Sequence, residues 1–132
     1  MKVLIADDEP MHTFLLEMFL KKWGYEVTST DNGLEALRLL RGENASCVAV
    51  LDWRMPGLEG VEVCHDLKKS SENSTLFILL LTAKAQVVDR QQAMEAVVDD
   101  YMTKPYDPEE LRQKLGDACR LLESKSLGGI CT

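Results

Sequence analysis

A short apolar run that stops at an acid, Val48–Leu51 followed by Asp52, most constrains how this chain folds. The run is partly β-branched and entirely apolar, which suits a strand buried on both faces of a sheet. Met55-Pro56-Gly57 follows and forces the backbone to turn. We therefore predict that a buried strand delivers Asp52 to its C-terminal end, beyond the hydrogen-bonded ladder, at the edge where open α/β sheets place their chemistry.

Short apolar runs alternate with helical patterns along the whole chain. The predicted strands are Lys2–Ala6, Tyr25–Ser29, Ser46–Leu51, Leu76–Leu81 and Val98–Met102. The predicted helices run from Pro10 to Gly24, over Leu34–Leu40, over Gly60–Leu67, over Gln86–Val97 and onward from Asp107. This alternation predicts an α/β fold, in which a five-stranded parallel sheet has helices on both faces. Because crossovers between parallel strands are right-handed, we expect a doubly wound sheet with the flavodoxin-like order 2-1-3-4-5.

Two helices carry apolar stripes that we expect to face the sheet. In the first, the stripe is Met11, Phe14, Leu15 and Met18; in the last, it is Leu111, Leu115, Ala118 and Leu122. Asp107 is the expected N-cap of the last helix, with Pro108 at its first position. We predict one domain over residues 1–124 and a disordered tail over 125–132.

Composition narrows the class of protein. The 132 residues carry a formal net charge of −7, which argues against sequence-independent nucleic-acid binding. The four cysteines have no C-x-x-C spacing, so metal binding through them is not expected. No apolar run approaches the roughly 20 residues needed to span a bilayer. We predict a reduced, cytoplasmic protein with no membrane partner and no direct nucleic-acid partner.

Polar side chains stand at the predicted strand ends. Asp7 and Asp8 follow the first strand, Asp52 the third, Thr82 the fourth and Lys104 the fifth. Because these ends share one edge of the sheet, the three carboxylates would lie close and raise one another's pKa. A hard cation such as Mg²⁺ and the Lys104 ammonium would relieve that repulsion. Carboxylate nucleophile, metal, ammonium and hydroxyl together predict a phosphoryl-transfer site.

Five motifs, in order and at fitting intervals, resemble the receiver domain of two-component response regulators. They are Asp7-Asp8-Glu9-Pro10, Leu51-Asp52, Met55-Pro56-Gly57, Leu81-Thr82-Ala83-Lys84 and Asp99-Asp100-Tyr101-Met102-Thr103-Lys104-Pro105. The resemblance covers roughly Lys2 to Glu123. The chain departs from the family at Val97-Val98, where a glycine usually precedes the paired acids.

The resemblance implies that Asp52 accepts a phosphoryl group from a phosphohistidine on a sensor histidine kinase or phosphotransfer protein. It implies Mg²⁺ as the cofactor, bound directly by Asp8, Asp52 and the main-chain carbonyl of Arg54, with Asp7 acting through a water molecule. The family catalyses its own phosphorylation and dephosphorylation, so whether to class it as an enzyme is left open.

The resemblance also implies a switch. Thr82 and Lys104 would bind the phosphoryl oxygens, and Tyr101 would swing inward as the Thr82 hydroxyl is drawn to the phosphate. The change would reach a surface formed by the fourth helix, fifth strand and fifth helix. The expected readers are a downstream protein or an output domain, with a phosphorylation-dependent homodimer as a further alternative.

Two other functions remain open from the residues. A receiver that no longer takes phosphate would act as a constitutive docking module, and the full set of acids, threonine and lysine argues against it. A haloacid-dehalogenase-like phosphatase would use similar groups, but its Asp-x-Asp motif is missing after the first strand. Near the site, we interpret His12 as a bystander and expect Trp53 to lie close to the metal.

Overall fold

The computed structural model describes residues 2–41, 48–53, 57, 62–63, 66, 76–83, 99–104 and 107–126, with backbone alone at 83 and 123–126. Its strands are β1 (Lys2–Ala6), β2 (Glu26–Thr30), β3 (Val48–Asp52), β4 (Phe77–Ala83) and β5 (Asp100–Lys104). Its helices are α1 (Pro10–Lys22), α2 (Gly33–Leu40) and the C-terminal helix (Pro108–Ser126). Glu62, Val63 and Asp66 are helical too. The rest of the predicted third helix, and all of the fourth, lie outside the described residues.

All five strands are parallel, and they are hydrogen-bonded in the order β2-β1-β3-β4-β5. This confirms the predicted doubly wound sheet. Within it, β3 lies between β1 and β4, and its apolar residues are buried. The register aligns Ala6 with Leu51 and Asp52 with Leu81, so the strands end near one edge of the sheet.

Alternate residues of each strand point to opposite faces of the sheet. Both faces are apolar, and helices cover each of them. On one face, Leu4, Leu51 and Ile78 pack with α2 and with Trp53. On the other face, α1 and the C-terminal helix pack on the following residues: Val3, Ile5, Val48, Val50, Phe77, Leu79, Leu81 and Met102. The predicted stripe of the C-terminal helix, Leu111, Leu115, Ala118 and Leu122, lies in this second core and is confirmed.

The predicted inner stripe of α1 is wrong. Met11 is 64% exposed and Phe14 is 60% exposed, and Leu15 and Met18 are exposed as well. Leu16 and Leu20 face the sheet instead. Apolar residues occur on most sides of this helix, so a period of 3.6 residues fits more than one face. A hydrogen bond from Thr13 Oγ1 to the main-chain oxygen of Asp7 (3.3 Å) ties the first turn to the end of β1 and helps set the rotation.

Local signals explain where the helices begin and end. Asn32 caps α2, since its side-chain oxygen accepts a hydrogen bond from Glu35 N at 2.7 Å. Asp107 Oδ1 accepts one from Glu109 N at 3.1 Å, as its predicted capping role requires. After α1, Gly24 has a φ of +93°, a left-handed conformation that glycine adopts without steric cost. Across the described helices, none combines the length and the apolarity that crossing a membrane requires.

Candidate functional site

The end of β1 holds Asp7 firmly. Its backbone N–H donates to Thr30 O at 3.2 Å, which extends the pairing of β1 with β2 by one residue. Its Oδ1 accepts a hydrogen bond from Glu9 N at 2.9 Å, and the residue is buried. Asp8, the next residue, is exposed. One acid is thus fixed inside the edge of the sheet, while its neighbour faces the solvent.

Asp52 is the last residue of β3 and lies beside Leu81 of β4. Trp53 N donates to Leu81 O at 2.8 Å, so the ladder continues past Asp52. The prediction that Asp52 lies beyond the ladder is therefore wrong. Thr82, one residue after Leu81, is fully buried within β4. Asp52 and Thr82, whose side chains are candidates for the site, are therefore still paired with neighbouring strands.

Lys104 ends β5 and reaches the acids of β1 and β3. Its Nζ lies 3.1 Å from Asp52 Oδ1 and 3.3 Å from Asp7 Oδ2. The Lys104 side chain is 21% exposed, and that of Asp7 is completely buried. Charge-assisted hydrogen bonds of this kind are stronger than neutral ones. One ammonium therefore holds two carboxylates together at this edge of the sheet.

Burial raises the pKa of Asp52 above its ordinary value. The Lys104 ammonium opposes this rise, and the carboxylates of Asp7 and Asp8 add to it. Lys104 pairs with two of the three acids, and the net effect is a pKa of Asp52 that is raised. A bound divalent cation would reverse that balance.

The carboxylates of Asp7, Asp8 and Asp52 lie close enough together to be candidate ligands of one hard cation. One carboxylate oxygen from each of Asp7, Asp8 and Asp52 lies within 4.8 Å of the other two. Around Mg²⁺ at its usual ligand distance of about 2.1 Å, octahedral oxygens are about 3.0 to 4.2 Å apart. Small side-chain shifts, or one intervening water molecule, bring these oxygens into that range. The donor set, all oxygen and mostly anionic, therefore fits Mg²⁺.

An open groove of about 710 Å³ extends from the acids across the surface between α1 and α2. Asp7 and Asp8 lie along it, together with Phe14 of α1 and Glu35 of α2. The groove leaves the side of the site that carries Asp7 and Asp8 open to solvent.

The structure brings together four of the residues selected from sequence, Asp7, Asp8, Asp52 and Lys104. Thr82 lies in the adjacent strand, and Lys104 and Thr82 are within strands rather than after them. Tyr101 is half-buried and packs against the core on the α2 face. Arg54, whose carbonyl was assigned to the metal, lies outside the described residues.

His12 lies closer to the site residues than its interpretation as a bystander suggested. Its Nδ1 lies 3.3 Å from Lys104 Nζ and 3.4 Å from Asp7 Oδ2. These contacts place His12 at the site, and its lack of a role stays a prediction. The available signal was position, since α1 begins at Pro10 and the helix turns His12 back over the end of β1. Trp53, expected near the metal, has its side chain 1% exposed within the core on the α2 face.

Comparison with known proteins gives a consistent result. The family model for the response regulator receiver domain matches residues 3–116. The chain is 42% identical over 119 residues to the transcriptional regulator ycf27 of Porphyra purpurea, covering 90% of this chain and 47% of that protein. It is 38% identical over 115 residues to the alkaline phosphatase synthesis transcriptional regulatory protein PhoP of Bacillus subtilis, covering 86% and 46%. The chain thus spans about half the length of these relatives.

Among solved structures, the response regulator TrrA of Thermotoga maritima, in complex with Mg²⁺ and BeF, superposes with a TM-score of 0.78. It is 32% identical in sequence, and the match covers 89% of this chain and 97% of that one. Fold and sequence motifs therefore point to the same family.

Proposed function

This chain belongs to the response regulator receiver domain family of two-component systems, and from that premise we propose that Asp52 is its phosphoacceptor. The observation that carries the proposal is the Lys104 ammonium, whose Nζ lies 3.1 Å from Asp52 Oδ1 at the end of the sheet. A carboxylate beside a fixed cation, at an edge that a ligand can reach, is the arrangement that phosphoryl transfer needs.

The proposed donor is a phosphohistidine on a sensor histidine kinase or phosphotransfer protein. A carboxylate oxygen of Asp52 forms a bond to phosphorus as the bond from phosphorus to the donor's imidazole nitrogen breaks. The imidazole leaves with the electron pair and takes up a proton. Lys104 neutralises charge on the phosphoryl oxygens, and the Thr82 hydroxyl donates a hydrogen bond to one of them. In this proposal, positioning and charge neutralisation do most of the catalysis, and the contact of Lys104 with Asp52 supports it.

Mg²⁺ is the proposed cofactor, since TrrA of Thermotoga maritima was crystallised with it and the acids here suit it. Asp8, Asp52 and the Arg54 carbonyl would hold the ion directly, with Asp7 acting through water. When bound, it neutralises charge on the phosphoryl oxygens and on the acids. Asp7 contributes a second effect, because its buried side chain fixes Lys104 at 3.3 Å.

The proposed output is a change on the surface that includes β5 and the C-terminal helix. An ion pair joins these two elements, with Lys114 Nζ 2.9 Å from Asp100 Oδ2. Asp100 Oδ1 also accepts a hydrogen bond from the N–H of Tyr101, the proposed switch aromatic. A movement of the Tyr101 backbone would therefore reach the C-terminal helix through Asp100 and Lys114. The fourth predicted helix, the third part of this surface, lies outside the described residues.

A partner protein is supported by the exposed apolar residues of α1, which lie beside the pocket. Met11, Phe14, Leu15 and Met18 form this face, and contiguous exposed apolar surface marks interaction sites. We propose residues 1–124 as the receiver unit of a cytoplasmic signalling protein. Since relatives include transcriptional regulators, control of transcription is the proposed output, through a partner or a further domain.

Intact-mass measurement after incubation with acetyl phosphate and Mg²⁺ tests the chemistry. We expect one added phosphoryl group on the native chain and none on Asp52→Asn. Asp117→Asn is the matched control, because Asp117 is an exposed acid of the C-terminal helix paired with Arg120. An adduct on Asp52→Asn, or no adduct on the native chain, would refute the proposal. The second of these results would favour a docking module that works without phosphate.

A further inference from the structure

Within the described part of the chain, Lys104 has three partners, and two of them are the acids already described. Its Nζ lies 3.1 Å from Asp52 Oδ1, 3.3 Å from Asp7 Oδ2 and 3.3 Å from His12 Nδ1. An ammonium has three protons to donate, and each of these atoms can accept one. His12 is the imidazole among the three, and the other two are carboxylates. It is also the partner that the phosphoryl-transfer chemistry has not used.

The direction of this hydrogen bond follows from the chemistry of the two groups. A lysine ammonium has no lone pair, so the His12 Nδ1 must accept. The imidazole proton then lies on Nε2. The 3.4 Å contact between His12 Nδ1 and Asp7 Oδ2 is a contact between two acceptors that share the ammonium.

The fold holds His12 in place. Thr13, the next residue, donates its hydroxyl to Asp7 O at 3.3 Å and its N–H to Glu9 O at 3.1 Å. These bonds fix the first turn of α1 against the end of β1. The His12 side chain, 42% exposed, thus lies beside Asp7 and Lys104.

We propose that His12 is a positioning residue, which keeps the Lys104 ammonium at the pocket while the acids bind a divalent cation. The inference rests on the proposed function of Asp52. When Asp7 and Asp52 share their charge with a cation, they attract the ammonium less, and the cation repels it. His12 keeps its lone pair for Lys104 in that state. The ammonium then stays where the phosphoryl oxygens arrive.

Two variants of the same shape isolate the acceptor. In His12→Asn the side-chain oxygen can take the place of Nδ1, whereas His12→Leu has nearly the same volume and no acceptor. With Mg²⁺ and acetyl phosphate, we expect His12→Leu to lower kcat for adduct formation about 12- to 160-fold, the effect of one hydrogen bond to a charged group. We expect His12→Asn to recover most of that loss, and the KM for acetyl phosphate to change less than kcat.

A double-mutant cycle separates positioning from a general effect on folding. In a Lys104→Met background, His12→Leu should have no further effect on the residual rate, because the group that it positions is gone. Equal rates for His12→Asn and His12→Leu would overturn the inference. A full His12→Leu effect in the Lys104→Met background would overturn it too.

The tautomer of His12 tests the inference without any phosphorylation. The chain has two histidines, so His65→Gln leaves His12 alone in a long-range ¹H–¹⁵N spectrum. Recorded about two pH units above the ordinary histidine pKa of about 6.5, the spectrum should show the proton on Nε2, both without and with Mg²⁺. A proton on Nδ1 would overturn the inference. If the native chain forms no adduct, the proposed function fails by itself, and the tautomer still decides the hydrogen bond.

Discussion

Lys104 Nζ lies 3.1 Å from Asp52 Oδ1 although the strands that carry them, β5 and β3, are not neighbours. Between them is β4, so the lysine reaches across the end of that strand. Two strand spacings amount to roughly 9.6 Å, which a long side chain can bridge and a short one cannot. The contact therefore depends on the order of the strands, and it places the ammonium over the edge that carries Thr82.

Asp52→Asn should stabilise the metal-free protein at neutral pH. Burial, with help from Asp7 and Asp8, raises the pKa of Asp52 in the folded state, so its ionised form opposes folding. Removing a destabilising group of this kind typically raises the free energy of unfolding by about 0.5–2 kcal/mol. Thermal unfolding with and without Mg²⁺ checks this, because bound Mg²⁺ should stabilise the native chain more than the variant.

The sign of the pH dependence makes this prediction specific. A carboxyl whose pKa is raised on folding destabilises the protein as pH rises above its ordinary value of 3.8. The advantage of Asn at position 52 should therefore disappear below that value and grow towards neutral pH. A constant difference across the range would contradict it.

Lys104→Met should destabilise the metal-free protein by about 1–3 kcal/mol, because the buried Asp7 carboxylate loses a charged partner. The same variant should bind Mg²⁺ more tightly, since the ammonium no longer competes for the acids. Lys114→Met is the control: its partner Asp100 has a side chain 37% exposed. Loss of such a pair costs about 0–1 kcal/mol. Equal unfolding free energies for the two variants would refute the argument.

Trp53 should report Mg²⁺ binding by its fluorescence, since its backbone follows Asp52 directly and its N–H bonds to Leu81 O. The chain has two tryptophans, so the measurement belongs in Trp23→Phe. A saturable change that vanishes in Asp52→Asn is expected. An unchanged spectrum at saturating Mg²⁺ would show that the buried indole does not sense the site.

The sequence allowed the sheet order and the meeting of Asp7, Asp8, Asp52 and Lys104 to be predicted, because parallel strands must end at one edge. It did not allow exact strand ends. The predicted third and fifth strands stopped where the apolar residues stopped, but backbone pairing continues through Asp52 and Lys104. Ladder hydrogen bonds do not depend on side-chain polarity, so hydropathy alone ends such strands early.

The rotation of α1 and the contacts of His12 could not be read from the sequence for a related reason. Both depend on how the first helical turn docks on β1, which the Thr13–Asp7 hydrogen bond helps to fix. That bond joins a hydroxyl to a main-chain oxygen, and no pattern of residue types signals it. A helix with apolar residues on most sides then offers no other clue.

The corrected orientation of α1 predicts unequal costs along the helix. Leu16 is fully buried against the sheet, so Leu16→Ala should cost about 2–5 kcal/mol. Phe14 is 60% exposed, and Phe14→Ala should stay within about 0.5 kcal/mol of the native chain. Chemical denaturation of the two variants measures both. The reverse ranking would restore the stripe that was expected from sequence.

Gly57 has a φ of +85°, and a Cβ built there would lie 3.1 Å from Leu34 Cγ. A left-handed backbone costs a residue with a Cβ roughly 1–2 kcal/mol, and the approach of Leu34 adds to that. Gly24, with a φ of +93° and open space around it, carries the backbone cost alone. Gly57→Ala should therefore destabilise the protein more than Gly24→Ala does.

The contribution of Leu34 to the cost of Gly57→Ala can be measured separately. In a Leu34→Ala background, Gly57→Ala should cost no more than Gly24→Ala, since the crowding side chain is absent. Leu34 is 59% exposed, so its own truncation should be tolerated. Denaturant unfolding of the four chains in the cycle gives the coupling between the two positions. Zero coupling would mean that Leu34 moves aside freely and that backbone conformation alone requires glycine at position 57.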